Sequence, residues 1–251
     1  MYALITGASS GIGREIAIQL AEKKTNLILV ARRIDRLNEL KELLSKKHGI
    51  DVVIKQYDLS ILENCHSLHE SVKSYEPEAV INNAGFGRVG AFDQIPLSDE
   101  INMLELNILA LHALTKLFVG SMKKGVILNV ASMAAFLPTP LLATYAASKA
   151  YVLSFSRAID YEQKKEKTGI RVLTLCPGPV KTEFGEVAQA SKLSLPGMAV
   201  EKCARIAIKG ISKKKPKIIP GFSMKFLQFI LHFIPTRLVL AISYKVQNRR
   251  N

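Results

Sequence analysis

Tyr145 and Lys149 are the side chains in this sequence whose types and spacing best suit proton transfer. In a helix, positions i and i+4 share one face, so the ammonium of Lys149 would lie near the phenol and favour its ionised form. The ordinary pKa of tyrosine is about 10, and we expect the pKa of Tyr145 to be lowered. Ser132, just after an apolar run, would hold a carbonyl or hydroxyl oxygen beside the phenol. The alternative is an exposed helix face, the commoner meaning of an isolated Tyr-x-x-x-Lys.

A glycine-rich turn follows the first apolar run of the chain, with the spacing Gly-x-x-x-Gly-x-Gly. Glycines allow a tight turn and close approach of the backbone, and the helix that follows presents free N–H groups and the positive end of its dipole to a pyrophosphate. The residues expected to bind it are Gly7, Ser9, Ser10, Gly11, Ile12 and Gly13. The pattern predicts a dinucleotide site, although such a turn can also be purely structural.

Two arginines, Arg32 and Arg33, end the second apolar run, where folds that bind NAD usually carry a carboxylate for the ribose 2′-hydroxyl. The first carboxylate beyond them, Asp35, has the position of a helix start. Guanidinium groups suit a 2′-phosphate and can stack on adenine. We therefore predict NADP(H) as the cofactor, with a solvated arginine pair as the alternative.

Polar and small residues follow the third and fourth apolar runs. Asp58 and Leu59 end the third, where the carboxylate would accept a hydrogen bond from the adenine amino group or simply close a turn. The fourth run leads into Asn83, Ala84 and Gly85, which suit packing against a ribose. Ligands of open parallel sheets bind beyond the carboxyl ends of the strands, so these positions should line one cleft.

The apolar runs alternate with segments of helical periodicity. Runs of Val, Ile and Leu without polar alternation are typical of parallel strands buried on both faces. The predicted strands are Ala3–Thr6, Leu27–Ala31, Val52–Tyr57, Ala79–Asn82, Val126–Ser132 and Val172–Cys176. The predicted helices begin at Gly11 and at a capping box, Ser60–Glu63, and cover Asp35–Lys47, about Ser98–Phe118 and about Thr144–Lys167. The sequence predicts an α/β fold with one doubly wound parallel sheet.

The composition is that of an ordinary globular protein, with 251 residues, 48% hydrophobic and 22% charged. It excludes a disordered chain and a collagen-like repeat. Three scattered cysteines favour a reducing, cytoplasmic location, and we expect no signal peptide before the first strand. Cys65, His66 and His69 form a ligand-like cluster, which we interpret as part of a surface helix and not as a metal site.

Basic charge is concentrated at the end of the chain. The formal net charge is +14, yet residues 1–201 hold 23 basic and 21 acidic residues, whereas residues 202–251 hold 12 basic and no acidic residues. We therefore predict a domain over residues 1–215 and a basic amphipathic extension over residues 216–251. Nucleic-acid binding is not expected, because a binding protein of that class would carry its charge across a docking face.

Taken in order, these motifs resemble those of the short-chain dehydrogenase/reductase (SDR) family. The similarity runs from about Tyr2 to about Phe184 and comprises TGASSGIG, ARR, DL, NNAG, Asn107, Ser132, Tyr145-x-x-x-Lys149 and PGPVKT. The stretches LILVARRIDRLNEL, NNAGFGRVGAF and PGFSMKFLQFILHFIP are similar to the DltE-type branch of general short-chain dehydrogenases. The resemblance implies a single-domain Rossmann fold with a parallel sheet of about seven strands, and no metal.

The resemblance also implies roles for the matching residues. Tyr145 would be the general acid in reduction and the general base in oxidation. Lys149 and an oxidised nicotinamide ring would both lower the pKa of Tyr145. Lys149 would also bind the nicotinamide ribose, while Ser132 would orient the substrate oxygen. Asn107 would help to hold a chain of waters that leads to solvent. The nicotinamide end of the cofactor would be bound by Pro177, Gly178, Val180 and Thr182.

A segment at about residues 183–200 would form a lid over the substrate. Its apolar side chains, with Phe86 and Phe136 as further walls, favour a largely apolar substrate, although they can equally pack against the core. These side chains are Phe184, Val187, Leu193, Leu195, Met198 and Val200.

The extension joins Lys213–Lys215 to an amphipathic stretch, Phe222–Ile234, in which Lys225, Gln228 and His232 share one helical face. Its polar interruptions argue against a membrane-spanning helix. Three interpretations are open. The stretch packs on its own domain or on a second subunit, which we favour; it binds peripherally to the inner face of an anionic membrane; or it docks an acidic acyl carrier.

The sequence thus predicts an NADP(H)-dependent carbonyl reductase or alcohol dehydrogenase that acts on a hydrophobic ketone, aldehyde or alcohol. Homodimers or homotetramers would form through the long helices that carry Asn107 and Tyr145. The alternatives are a non-catalytic dinucleotide sensor on the same fold and a membrane-surface or polyanion-binding protein that acts through its tail. The complete set of Asn107, Ser132, Tyr145 and Lys149 favours the enzyme, since a sensor needs no proton relay.

Overall fold

The structure is a computed structural model that describes residues 1–188 and 197–248. Seven parallel strands form one sheet in the order β3-β2-β1-β4-β5-β6-β7. The strands are β1 Tyr2–Thr6, β2 Asn26–Ala31, β3 Val52–Gln56, β4 Ala79–Asn82, β5 Gly125–Val130, β6 Ile170–Leu175 and β7 Lys217–Ile218. This order confirms the predicted doubly wound Rossmann sheet, in which the winding direction changes between β1 and β4.

Nine α-helices accompany the sheet in the described residues. They are α1 Gly11–Glu22, α2 Ile34–His48, α3 Leu62–Val72, α4 Leu97–Ser121, α5 Ala143–Lys165, α6 Phe184–Val187, α7 Val200–Ser212, α8 Phe222–Ile230 and α9 Thr236–Asn248. Residues of α1, α2 and α7 share one core cluster with the sheet, whereas residues of α3 and α4 share another. The sheet is therefore covered on both faces.

The strands lack polar alternation because both of their faces are buried. In β1, Ile5 packs in the cluster with α1 and α2, whereas Leu4 packs in the cluster with α3 and α4. In β2, Leu29 and Ile28 divide between the same two clusters. Successive side chains of a strand point to opposite faces, so each strand supplies two cores at once.

Helix α4 is the one helix in the described ranges that is long and apolar enough, by length and composition alone, to cross a membrane. Its Leu114 and Phe118 are buried in the core cluster that α4 forms with the sheet. A core helix of an α/β domain passes such a test for the same reason, namely the burial of one of its faces.

The capping box predicted at Ser60–Glu63 is wrong. Helix α3 begins at Leu62, and no side chain caps its N-terminus. The hydroxyl and the backbone N–H of Ser60 instead donate to Oδ1 of Asp58 at 2.8 and 3.1 Å. An aspartate readily closes such a turn with the residue two positions ahead, which leaves the serine unavailable as a cap.

The C-terminal extension differs from the single amphipathic stretch that the sequence indicates. Strand β7 lies within it and pairs with β6, so the extension supplies the last strand of the sheet. The stretch Phe222–Ile234 is α-helical only to Ile230, and α9 begins at Thr236. Pro235 stands between the two helices, where its missing N–H and fixed φ interrupt regular helix.

Candidate active site

The glycine turn after β1 is held by Asn83, which follows β4. Asn83 Nδ2 donates to the carbonyl oxygens of Thr6 and Gly7 at 3.0 and 3.3 Å. A Cβ on Gly13 would lie 2.5 Å from Asn83 Nδ2 and 2.6 Å from the oxygen of Gly7, and Gly7 itself has φ +65°. Larger side chains would therefore force these two strand ends apart.

The N-terminus of α1 fits a pyrophosphate. Its N-cap, Ser10, makes no side-chain capping bond, and the first turn carries no acidic residue, so the N–H groups and the positive helix dipole are uncompensated by the chain. Thr182 lies over this end, since a Cβ on Gly11 would be 3.4 Å from its methyl group. Ser9 is buried in the turn, and Ile12 packs against the core behind it.

The two arginines after β2 diverge. Arg33 Nε and Nη2 donate to the hydroxyl of Ser9 at 3.2 and 3.0 Å, and Nη2 also donates to the hydroxyl of Ser10 at 2.7 Å. Arg32 instead lies 3.5 Å from a carboxylate oxygen of Asp58, with much of its side chain in solvent. Arg33 is therefore the arginine that belongs to the glycine turn.

An unpredicted ion-pair cluster joins Arg33 to the start of the lid segment. Glu183 accepts hydrogen bonds from Arg36 at 2.7 Å and from Arg33 at 3.1 Å. These hydrogen bonds, that of Arg36 first, lower the pKa of Glu183. Arg36 follows Arg33 by three residues at the start of α2, a spacing that can bring two side chains together. The spacing does not indicate Glu183 as their shared partner.

Asp58 and Leu59 lie beyond the end of β3. Burial opposes ionisation of Asp58, but hydrogen bonds from Ser60 and the charge of Arg32 outweigh it and lower its pKa. Leu59 is buried in the core cluster with α3 and α4. Asp58 thus closes a turn, as one interpretation of the sequence had it, while one of its oxygens remains near Arg32.

Tyr145, Lys149 and Ser132 meet at the ends of β4 and β5. Lys149 Nζ is 5.7 Å from the centre of the Tyr145 ring and donates to the carbonyl of Val130 at 3.0 Å. The Ser132 hydroxyl, which follows β5, accepts from the N–H of Ala134 at 3.1 Å. All three chemical groups therefore lie at one edge of the sheet, and the shared helix face of Tyr145 and Lys149 is confirmed.

The lowered pKa expected for Tyr145 beside an oxidised nicotinamide ring is not present in the protein alone. Burial raises the pKa of Tyr145 to about 12, and a hydrogen bond with Ser132 offsets only part of this effect. Burial also lowers the pKa of Lys149 to about 8. Removal from water disfavours both charged forms, and the sequence spacing alone does not reveal how deeply the pair is buried.

Asn107 lies in π-helical turns within α4, Glu105–Ala110, and is fully buried. Its side chain accepts from the N–H of Phe86 at 3.1 Å and donates to the carbonyl of Phe86 and the hydroxyl of Ser148 at 2.9 and 3.1 Å. Asn107 therefore ties the loop after β4 to α5. Such π-turns often occur at functional positions, and the water chain remains a prediction.

Small residues bring the loop after β4 close to this cluster. A Cβ on Gly85 would lie 2.7 Å from Asn107 Oδ1 and 3.3 Å from Lys149 Nζ. The N–H of Ala84 donates to the hydroxyl of Thr6 at 3.0 Å. Asn83, Ala84 and Gly85 thus link the glycine turn to the Lys149 side chain, as the shared cleft required.

Apolar side chains surround the Tyr145 ring. Phe184 lies against it with ring centres 5.5 Å apart, and a Cβ on Gly87 would touch both rings. Tyr145 also belongs to an apolar cluster with Met103, Leu142, Phe86, Val89 and Ala134. Of the lid residues named from the sequence, Leu193 and Leu195 lie outside the described residues.

The loop after β6 completes the edge. The carbonyl of Pro177 accepts from the N–H of Met133 at 2.8 Å, which connects it to the segment after Ser132. Val180 forms a parallel bridge with Met198, and the Thr182 hydroxyl accepts from the N–H of Phe184 at 3.3 Å. A Cβ on Gly178 would lie 2.6 Å from the sulfur of Met224 in α8.

The Cys65, His66 and His69 cluster is spread over different environments of α3. The thiol of Cys65 is in the core, where burial raises its pKa to about 11, and His69 bonds with the hydroxyl of Ser121 at 2.8 Å. His66 is exposed. Within residues 1–188 and 197–248, no three His, Cys, Asp or Glu side chains are placed to hold a metal ion.

Comparison with known proteins identifies the family. The family model described as short chain dehydrogenase matches residues 1–192. A very-long-chain 3-oxoacyl-CoA reductase of Phaeosphaeria nodorum is 34% identical over 76% of this chain and 58% of its own length. The 11-beta-hydroxysteroid dehydrogenase-like 3 of Arabidopsis thaliana is 30% identical over 96% of this chain and 80% of its own. The chain thus spans less than two thirds of the fungal relative.

Two solved structures share the architecture. A short-chain dehydrogenase from Sphingobium yanoikuyae in complex with NADPH has a TM-score of 0.82 and 31% identity, over 88% of each chain. A bulky-bulky ketone specific alcohol dehydrogenase from Comamonas testosteroni has a TM-score of 0.77 and 30% identity, over 88% of this chain and 86% of its own. This chain belongs to the short-chain dehydrogenase family, and its fold is the nicotinamide dinucleotide-binding fold of that family.

Proposed function

We propose that this protein is an NADP(H)-dependent oxidoreductase that interconverts a hydrophobic ketone or aldehyde with its alcohol. The observation that carries the proposal is the arrangement of Tyr145, Ser132 and Lys149 at one sheet edge beneath an apolar cover that includes Phe184. A non-catalytic dinucleotide-binding protein does not need a phenol, a hydroxyl and an amine together in one buried site.

The residues at this edge fit a dinucleotide. The close approach of Gly7 and Gly13 to Asn83 and the uncompensated N-terminus of α1 form a cradle for a pyrophosphate. Lys149 would bind the nicotinamide ribose, and the loop through Val180 and Thr182 would hold the carboxamide. When bound, the nicotinamide supplies or accepts the hydride, and the chain supplies the proton.

The chain's own groups perform the acid–base part of the reaction. In the protein alone Tyr145 is a phenol at neutral pH, so it carries the proton that a substrate oxygen would take up in reduction. Ser132 would hold that oxygen. As the phenolate forms, an ammonium on Lys149 would stabilise it, and burial makes this interaction stronger than it would be in water.

The preference for NADP(H) rests on Arg33. Its guanidinium is bonded to Ser9 and Ser10 of the glycine turn, so it stands where a 2′-phosphate on the adenosine ribose would need a cation. A second cation, Arg36, is linked to it through Glu183. The Sphingobium relative is described in complex with NADPH, which agrees with this proposal. We favour reduction as the direction if the cofactor is NADPH.

The substrate class rests on the apolar surroundings of Tyr145. Met103, Leu142 and Phe86 offer no charged group to the reacting end of the substrate. Two similar proteins are named for hydrophobic substrates, a very-long-chain 3-oxoacyl-CoA and a bulky ketone. The DltE-type branch is a narrower prediction from sequence stretches, and the relatives named above carry other names.

The proposal is tested by replacing Tyr145 with phenylalanine. The protein is screened against a panel of hydrophobic ketones and aldehydes by loss of NADPH fluorescence. The Tyr145→Phe variant should bind NADPH with unchanged affinity but turn over at least about a hundredfold more slowly, the scale for removal of an acid–base group. Full activity in the variant would defeat the mechanism, and NADPH binding without turnover of any carbonyl by the parent protein would favour a sensor.

Self-association and a cytoplasmic location are also proposed. His112 of α4 bonds with the hydroxyl of Tyr151 of α5 at 2.7 Å, so the two long helices present a joint surface. Beside it, exposed Leu109 and half-buried Leu117 line an apolar groove of about 510 Å³. Sedimentation velocity should show a dimer or tetramer that Leu109→Glu weakens, and a monomer in the parent protein would contradict this.

A further inference from the structure

The C-terminal helices turn aromatic side chains toward solvent. Phe222, Phe226 and Phe229 share one side of α8, and Phe233 lies in the turn that follows the helix; we name these four residues the aromatic stripe. Their exposed fractions are 84%, 55%, 60% and 72%, and the rings of Phe229 and Phe233 lie 5.2 Å apart. The stripe therefore does not pack on its own domain; packing on a second subunit, the other part of the favoured interpretation, stays a prediction.

The side of α8 that points away from the stripe interacts with the domain. Gln228 accepts from Lys217 Nζ at 3.0 Å and is half-buried. Met224 packs against Gly178 in the loop after β6. Met224 also packs against a buried core cluster, whereas Lys225 and His232 are exposed. Helix α9 adds exposed Leu238 and Ile242.

The surroundings of the stripe are uniformly cationic. Residues 202–251 include no Asp or Glu, and Lys225 borders the stripe between Phe222 and Phe226. Exposed Lys213–Lys215 precede β7. In the described part of this segment, none of its lysines or arginines lies within 4.0 Å of a carboxylate.

We propose that the aromatic stripe and its flanking cations dock the protein on an anionic phospholipid bilayer. Aromatic side chains enter the boundary between headgroups and acyl chains, while lysines remain with anionic headgroups. A second copy of the chain is a poorer occupant, because a symmetric contact would place two cationic surfaces against each other. An acidic acyl carrier satisfies the charge but offers no fluid apolar layer for four projecting rings.

The docking surface borders the candidate active site. A cavity of about 290 Å³ separates the loop after β6 from the start of α8, and Gly178, Val180, Met198 and Met224 help to line it. A docked molecule would thus hold the entrance side of the site near the lipid phase. Docking stands independently of the proposed function, whereas delivery of a hydrophobic substrate from the bilayer rests on it.

The test is flotation of the full chain with vesicles. Vesicles of phosphatidylcholine with phosphatidylglycerol should bind the protein, and those of phosphatidylcholine alone should bind it at least about tenfold less, since each lysine near an anionic surface adds affinity. The double variant Phe226→Ser/Phe229→Ser should lose about tenfold or more of the binding to anionic vesicles. The control Phe92→Ser/Leu97→Ser removes two apolar side chains elsewhere that are even more exposed, and it should bind as the parent does.

Each remaining outcome overturns the proposal. If Lys213→Gln/Lys214→Gln/Lys215→Gln abolishes binding while the phenylalanine pair has no effect, the contact is plain electrostatic adsorption. If the phenylalanine pair instead converts a dimer to a monomer in sedimentation, the occupant is a second copy. If no vesicle binds but an acidic acyl carrier does, the surface is a protein-docking site. Point variants are preferred to cutting the chain before Pro216, which would remove β7, and no readout requires turnover.

Discussion

The rim of the cofactor cleft, which we define as Ser9, Ser10, Arg33 and Asn83, differs from helix α8 in how its side chains are bonded. In the rim, Asn83 is bonded to two backbone carbonyls, and Arg33 to two hydroxyls and a carboxylate. On α8, by contrast, Lys225 is exposed and Phe226 projects into solvent. Within the described residues the rim is cross-linked through polar bonds between strand ends, whereas the aromatic stripe makes few contacts with its own domain.

This difference separates two kinds of substitution. A change in the rim displaces several partners at once, because the ends of β1, β2 and β4 are tied through single side chains. A change on the stripe removes contacts that the isolated chain hardly makes, so its consequence should emerge only when an external surface is present. The predictions below run from the rim outward.

The largest effect is expected at Gly13. In Gly13→Ala the new methyl would meet Asn83 Nδ2 and the oxygen of Gly7 at separations that real Cβ atoms do not adopt. Overpacking of this kind costs about 1–3 kcal/mol. NADPH affinity should fall by at least about tenfold as the cradle shifts. Fluorescence titration and thermal unfolding measure the two effects.

Gly120→Ala is the matched control for Gly13→Ala. A Cβ on Gly120, in α4, would have no neighbour within 4 Å. Because alanine is the better helix former, the control should be as stable as the parent or more so, by up to about 1 kcal/mol. Equal behaviour of the two variants would show that the cradle tolerates a side chain.

Arg33→Ala and Arg32→Ala should differ in their effect on cofactor binding, because the two arginines have different partners. Arg33→Ala removes a cation that is bonded to Ser9 and Ser10, and it should weaken NADPH binding by about 10- to 100-fold, as expected for hydrogen bonds to a charged group. NADH binding should hardly change. Arg32→Ala, whose partner is Asp58 and not the glycine turn, should have the smaller effect on the NADPH to NADH preference. Isothermal titration with both cofactors decides the matter, and a larger loss in Arg32→Ala would reassign the phosphate site.

The sequence was sufficient for the sheet and for the meeting of the predicted site residues at one of its edges, but not for the electrostatics of those residues. The order of motifs at successive strand ends placed Tyr145 and Lys149 at one edge because parallel strands align their carboxyl ends. Burial raises the pKa of Tyr145 in the protein alone, and this burial depends on the packing of Phe184 and Met103 from distant segments. Glu183 was missed for a related reason: its partners lie about 150 residues earlier.

The pH dependence of NADPH binding should report Lys149. Its pKa of about 8 in the protein alone means that it is largely ammonium below pH 8 and largely neutral above. If the ammonium binds the cofactor ribose, NADPH binding retains the proton, and affinity should fall as pH rises above 8, by at most about tenfold per pH unit for one proton. Fluorescence titration from pH 6.5 to about 9.5 covers this range. The variant Lys149→Met should bind more weakly at pH 7 and lack this slope, whereas an identical slope would assign it to another group.

The smallest effect is expected on the aromatic stripe. Because its side chains are exposed, their replacement should hardly change the stability of the protein in the absence of a membrane. Phe226→Ser should change the free energy of unfolding by about 0.5 kcal/mol or less, because the ring is 55% exposed and serine is as good a helix former as phenylalanine. Phe118→Ala, in the fully buried part of α4, should cost about 3–5 kcal/mol. Urea unfolding of both variants provides the measurement. A cost at Phe226 approaching that at Phe118 would mean that the stripe is covered in the free protein, and the contrast between rim and stripe would fail with it.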